Sequence, residues 1–311
     1  MLGRARNRGK KVAVQPSAEP TLDAVNRRVW GDPRAISDYA GLSDYSDPGE
    51  EVVIARLAEL AQRGPILDVG VGAGRTVPLL LPLTDDYVGV DYTPGMVERC
   101  AARFPDKRIE LADARSLDGF VDESFAAVYF SASGIDAVDR EDRQLILREA
   151  FRVLRPGGVF AFSTHNLSHV AVGKPPWSLT VMQEQGLRGS LAHLARLPIM
   201  ARNHRRLRGF ARTGDGWAIL NDLAHNYGIV IHYTTLRAAC AELAAAGFAD
   251  VEAYDMVAGR RVTRAPETSH SWWLHLLTLK PDTTRLPEGD ASAESALPRE
   301  HELLDAPVPA V

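Results

Sequence analysis

The sequence predicts an α/β fold, a mostly parallel sheet with helices on both faces, and three observations carry that expectation. Short apolar runs of strand length, at residues 66–69, 87–90 and 124–131, alternate with stretches of helical periodicity. Capping residues and turn formers stand at the junctions between them. The first apolar run opens directly into three alternating glycines, Gly70, Gly72 and Gly74, where the backbone can bend sharply and a ligand can approach without meeting a Cβ.

In chain order, Asp47-Pro48-Gly49-Glu50 reads as a helix start: an acid at the N-cap, proline at the first helical position and a glutamate to complete a capping box. Val53, Leu57 and Leu60 share one face of that helix and predict packing on the sheet. After the glycine turn the helix must be short, because Pro82 ends it. The strand at 87–90 ends at Asp91, and Thr93-Pro94 starts a helix with Met96, Val97 and Cys100 on its apolar side. A third strand, 108–112, ends in Asp113-Ala114, and the buried run 124–131 forms a fourth. Asp139 caps a helix over 140–154, and Arg155-Pro156-Gly157-Gly158 stops it before a strand at 159–163 that ends Ser163-Thr164-His165-Asn166.

The next αβ unit begins far beyond an ordinary connection of about 2–6 residues, so an insertion with structure of its own is predicted at about 167–233. Its stretch 187–210 is helical in tone, with Leu187, Leu191 and Leu194 in a stripe, and the insertion is expected to form a helical lid. Thr234 or Thr235 then caps a helix carrying Leu236, Cys240 and Leu243, and Gly247 closes it. Residues 248–257 and 271–280 alternate like two strands of an antiparallel edge hairpin.

A strand, a glycine turn, a helix and an acid ending the next strand suit two kinds of adenosine cofactor. A dinucleotide fingerprint wants Gly-x-Gly-x-x-Gly, with a helix N-terminus against a pyrophosphate. Here the spacing is Gly-x-Gly-x-Gly, and Asp68 precedes it by two residues, which favours a ligand carrying an amino group and a sulfonium. Asp91 is placed to accept two ribose hydroxyls. The stretch 66–91 resembles motif I of the class I S-adenosylmethionine (SAM) methyltransferases, and Asp91 matches their ribose-binding acid. The resemblance spans about 48–280 apart from the insertion, with Leu154 to Gly158 a further family-typical junction; residues 125–127, Phe-Ala-Ala, depart from the usual Phe-Asp-Ala. It implies a Rossmann-like sheet of seven strands, mostly parallel, completed by the edge hairpin. It also implies SAM as cofactor, with Asp113 accepting from the adenine amino group and the Ala114 amide donating to a ring nitrogen. Tyr92, Met96 and Ser131 complete the expected cofactor set. In related enzymes the N-terminal part folds over the cofactor, which offers Tyr39 or Tyr45 as closing residues beside a plain packing role.

Methyl transfer requires alignment, exclusion of water and, for a hydroxyl or ammonium acceptor, removal of a proton. The base candidates are His165, His225, His232 and Asp136, with His165 best placed because it follows a strand directly. The expected reaction is transfer to O or N of a small metabolite. A non-catalytic SAM- or nucleotide-binding module is the rival, and an NAD-dependent oxidoreductase is disfavoured by the glycine spacing and by the lack of a mid-chain Tyr-x-x-x-Lys pair. No metal is expected. Two cysteines, Cys100 and Cys240, build neither a disulfide framework nor a metal site and suit a reducing cytoplasm. Seven arginines lie between Arg188 and Arg212, with no acid between Gln185 and Gly214. They read as an anion-attracting surface for the acceptor, as an RNA contact or as a solvated helix face. The net charge of −4 and the lack of basic-aromatic interleaving rank nucleic acid below small molecules. No apolar run reaches the ~20 residues of a membrane span, so no membrane partner is expected. Residues 1–20, a basic tail, and 281–311, rich in Pro, Ala, Glu and Asp, both read as disordered, leaving a domain at 21–280.

Overall fold

Strand β1, Ile66–Val69, is buried along its whole length, and the sheet extends from it in both directions. It pairs in parallel with β2, Tyr87–Asp91, on one edge and with β4, Phe125–Phe130, on the other. Strand β3, Arg108–Leu111, lies outside β2, and β5, Leu154–Asn166, lies outside β4, both parallel. Along the far edge of β5 runs β10, Trp273–Leu279, antiparallel, with β9, Ala249–Asp255, antiparallel beyond it. These strands are the expected mostly parallel sheet with its edge hairpin. The computed structural model describes residues 21–41, 45–184, 186–263 and 270–282, without the side chains of residues 38, 39 and 184–190. The readings placed on residues 1–20 and 283–311, and on the side chains of Tyr39, Leu187 and Arg188, lie outside the described residues.

Both faces of the sheet are covered, which is why β1 and β4 read as unbroken apolar runs rather than alternating ones. Ile66, Ala127, Tyr129 and Ala161 pack on helices α3, Pro48–Ala61, α4, Val77–Leu80, and α5, Pro94–Arg103. The intervening Leu67, Val69, Val128, Phe160 and Phe162 pack on α6, Arg140–Val153, and α10, Leu236–Ala245. The caps expected at Asp47, Asp139 and Thr235 form, each side chain accepting from a backbone N–H of the first turn. Thr93 precedes α5, but its side chain makes no cap bond. The predicted capping box is half made: the Glu50 side chain turns away from the backbone to the half-buried Arg75.

Two expectations change. Residues 154–158 are not a separate helix stop, because β5 already begins at Leu154 and passes through an irregular register against β4. Gly157, at φ +73°, allows that bend, and its N–H donates to the Lys280 carbonyl while Lys280 N–H donates to Gly158, so β10 carries the ladder across. The insertion is also not purely helical. It holds α7, Leu179–Glu184, and α8, Gly186–Leu207, but also β6, Arg212–Gly214, β7, Trp217–Asn221, and β8, Val230–Thr234. These three strands are a meander that joins the main sheet, making ten strands among the described residues. Strand β8 pairs in parallel with His165 and Asn166 at the end of β5, past the point where β4 stops. The short run α9, Ala224–Tyr227, is a left-handed turn in which His225, Asn226 and Tyr227 all have positive φ.

The N-terminal helices α1, Leu22–Trp30, and α2, Pro33–Ala40, complete the fold. One buried side chain, Asn26, ties α1 to the molecule: its amide donates to the carbonyls of Ala137 and Val230, and its oxygen accepts from Val230 N–H. Helix α1 thereby bridges the loop after β4 and strand β8, over the carboxyl edge of the sheet.

Candidate cofactor and acceptor site

The carboxyl ends of β1, β2, β4 and β5 face one edge, where ligands of open parallel sheets bind. At the end of β1 all three glycines take positive φ, a region closed to most side chains. A Cβ on Gly70 would strike the Phe130 ring at 2.6 Å, whereas one on Gly72 would meet no atom closer than Gly70 O at 4.0 Å. Gly72 thus exposes bare backbone to open space, the cradle a close-approaching ligand needs. Asp91 sits directly opposite, accepting from Gly72 N–H at 3.0 Å and from Thr93 N–H at 2.8 Å. Burial raises its pKa, partly offset by those two amides. A carboxylate has about four lone-pair sites, so Asp91 keeps room for two hydroxyl donors.

Asp68 is fully buried. Its Oδ2 accepts from the hydroxyls of Thr76 and Tyr87, while Oδ1 has no partner. Burial pushes its pKa up to about 7 against those two donors. A cationic group beside Oδ1 would supply the missing partner and favour the charged carboxylate. Asp68, Gly72 and Asp91 therefore fit an ammonium-bearing adenosyl sulfonium: acid at the amino end, open backbone beside the middle, acid at the ribose.

The adenine end differs from expectation. Asp113 is occupied by two arginines: Arg115 donates through its backbone N–H, Nε and Nη2, and Arg27 of α1 donates through Nη2 at 2.7 Å. Those four contacts use its acceptor capacity. Burial alone would raise the pKa of Asp113, but the Arg115 and Arg27 contacts overcome that and hold it at about 2. Asp113 is therefore an anchor for α1 and not an open acceptor for an amino group; Ala114, next to it, packs against the core. The Arg27 guanidinium also lies 4.1 Å above the Tyr92 ring. Arg27 thus bridges two residues of the expected cofactor set, Asp113 and Tyr92. Ser131 is likewise engaged, in a buried cluster where Glu50 accepts from Ser131, from Tyr129 at 2.7 Å and from both Nη atoms of Arg75 at 2.7 Å. Burial would raise the Glu50 pKa, but Arg75 and the two hydroxyls bring it below its usual value. Arg75 also donates to the Tyr45 carbonyl, fixing the entry to α3 against the glycine turn; Tyr45 itself is largely exposed. Met96 is a buried packing residue of α5.

Of the base candidates, the structure joins Asp136 and His165. Asp136 is fully buried, its Oδ1 taken by Arg143 and Thr164 and its Oδ2 by His165 N–H and, at 2.8 Å, by His165 Nδ1. Burial opposes its ionisation, but Arg143 and His165 outweigh that and lower its pKa. Asp136 thus has both oxygens engaged and fixes the orientation of the His165 ring. Among the described residues His165 Nε2 makes no hydrogen bond, and the ring is held between Tyr233 and Trp273 at 5.3 and 5.9 Å. His232 is withdrawn as a base: burial, then Arg143, push its pKa down to about 3, and both ring nitrogens are enclosed without partners. His225 stands on the left-handed turn with its ring edge against Trp30, 5.0 Å away, and is not brought into the Asp136–His165 pair. The residues that sequence reasoning missed are Asn26, Arg27, Glu50 as an acid, Arg75 and Arg143. Only Arg75, directly after the last glycine, had a position that could have suggested a role.

Residues 66–158 match the family model described as a methyltransferase domain. That segment is thus similar to the methyltransferase domains of SAM-dependent enzymes, and it carries Asp68, the glycine turn and Asp91 of the site just described. A probable SAM-dependent methyltransferase of Mycolicibacterium smegmatis is 31% identical over 116 residues, covering 37% of this chain and 44% of the relative. A trans-aconitate 2-methyltransferase of Methylobacterium radiotolerans is 27% identical over 140 residues, covering 40% and 52%. The chain spans about half the length of the curated relatives it matches. The CcbJ methyltransferase of Streptomyces caelestis shares the fold, with a TM-score of 0.53 at 15% identity over 81% of this chain and 98% of that one.

Proposed function

We propose that this protein transfers the methyl group of SAM to an oxygen or nitrogen of a small metabolite, with His165 as the general base. The observation that carries the reading is the Asp136–His165 pair, with Nε2 open, on the same sheet edge as Gly72 and Asp91. SAM, when bound, supplies an electrophilic methyl on a sulfonium and departs as a neutral thioether. Asp91 and the glycine turn hold the ribose end, and Asp68 faces the amino end. Asp136 fixes the His165 ring through Nδ1, so that Nε2 accepts the proton released as the acceptor's lone pair closes the new bond to carbon. Helix α1, tied down through Asn26, and strand β8 cover the edge and exclude water. The rings of Tyr233 and Trp273 beside His165 support an acceptor with apolar surface next to the base. That one matched relative bears the name of a small tricarboxylate acceptor is consistent with a small-molecule substrate.

The test is transfer of labelled methyl from SAM into fractionated metabolite pools, followed by kinetics on the acceptor found. His165→Ala should lower kcat by about 10²–10⁴-fold, and Asp136→Asn should lower kcat while SAM affinity is kept. Unchanged kcat in His165→Ala removes the base role. SAM binding without transfer to any pool favours the non-catalytic module.

A further inference from the structure

We propose that the outer face of α8 docks on an anionic lipid surface. Its inner face is defined by His193, Met200 and Leu207, buried residues seven apart that form one seam of the helix. Asn203 and His204 help to anchor it, the first donating to the Asn226 carbonyl and the second bonded to Asn221. At about 3.6 residues per turn, Leu191, Leu194, Pro198, Ile199, Arg202, Arg205 and Arg206 then point the other way. Leu191, Leu194 and Ile199 are 73%, 47% and 50% exposed, an unusual share for large aliphatic side chains on one helix. Leu179, at the start of α7, is 75% exposed, and the neighbouring Trp177, half exposed, sets its ring edge against His204.

The other half of the same face is cationic. Arg202, Arg205, Arg206 and Arg208 are exposed, and among the described residues none is in an ion pair. Elsewhere the arginines that shape the fold, such as Arg27, Arg75, Arg115 and Arg143, are all matched with carboxylates. The uninterrupted positive run, with no acid between Gln185 and Gly214, supplies the charge complementarity. An apolar patch beside unpaired guanidinium groups on a convex helix matches a phosphate-rich interface, where aliphatic side chains enter the acyl boundary and arginines fork onto headgroup phosphates. A convex face offers no pocket of the kind that would select a particular partner protein. This departs from the expectation of no membrane partner, which rested on the lack of a spanning run. It stands apart from the methyl-transfer reading, since none of these residues belongs to the site.

Sedimentation of the full chain with vesicles tests it. Vesicles of phosphatidylcholine and phosphatidylglycerol in equal parts should carry the protein down, pure phosphatidylcholine vesicles should not, and added salt should release it. Combined Arg202→Glu, Arg205→Glu and Arg206→Glu should weaken that binding by at least about 100-fold. Leu191→Asp with Leu194→Asp should abolish it, and both variants should keep the thermal unfolding midpoint because the changed side chains are exposed. Single Arg205→Gln, a milder change, should weaken binding several-fold and stands in if either multiple variant unfolds. No sedimentation with either vesicle, equal sedimentation of the arginine variant, or a self-association that Leu191→Asp removes would each overturn the proposal, the last assigning the face to a second copy of the chain.

Discussion

Asp68 and Asp91 bracket the glycine turn, and both carry raised pKa values because burial disfavours their charge. For Asp68 the folded value of about 7 lies above the ordinary 3.8, so the folded state holds a proton that the unfolded chain releases. Stability from this group is therefore fullest below 3.8 and falls as pH rises toward 7, with no further change above it. A bound ammonium beside Asp68 reverses the preference. At pH 6, SAM binding should release a proton, seen as a binding heat that changes with the ionisation enthalpy of the buffer. Asp68→Asn should remove that dependence, and equal heats in all buffers for the native chain would contradict the assignment. These two acids were legible because strand ends and glycine spacing fix where they fall. Asp113 was not: its position was read correctly as a strand end, but nothing in the local sequence shows that Arg27, far away in the chain, occupies it.

At the scale of elements, the helix caps and strand runs followed from local chemistry, while partners distant in sequence did not. Glu50 had every mark of a capping-box residue, yet the half-buried Arg75 outcompetes a backbone amide, since bonds between charged groups are roughly twice as strong as neutral ones. Removing one side of that buried pair leaves an uncompensated charge, so Glu50→Gln should destabilise the fold by about 3–5 kcal/mol in urea unfolding. A loss below about 1 kcal/mol would mean that the pair is not closed in solution. Helix α1 depends on Asn26 in the same way. Asn26→Ala leaves the backbone groups of Ala137 and Val230 unpaired and should cost about 2–4 kcal/mol. Hydrogen exchange should rise in α1 and β8 ahead of β1; protection unchanged in α1 would show that it is held by other contacts.

For the whole molecule, the parallel sheet, its edge hairpin and the cofactor edge could all be read from periodicity and turns. The insertion could not be read fully. Its β-strands are short, and runs of that length do not separate strand from helix by periodicity alone. Their pairing onto the last two residues of β5 is a tertiary fact that places His165 beside β8 in the sheet rather than at an open strand end. On the proposed reading His165, Tyr233 and Trp273 come from segments outside the matched region 66–158, whereas Asp68, Gly72, Asp91 and Asp136 lie within it. The central claim is that the bend at Gly70–Gly74 and the carboxylate of Asp91 together hold SAM. Titration calorimetry of the native chain and of Asp91→Ala with SAM tests it most directly. The native chain should bind, and Asp91→Ala should bind at least about tenfold more weakly through loss of the carboxylate–hydroxyl bonds. Absence of binding to the native chain, or equal affinity in the two proteins, would contradict it.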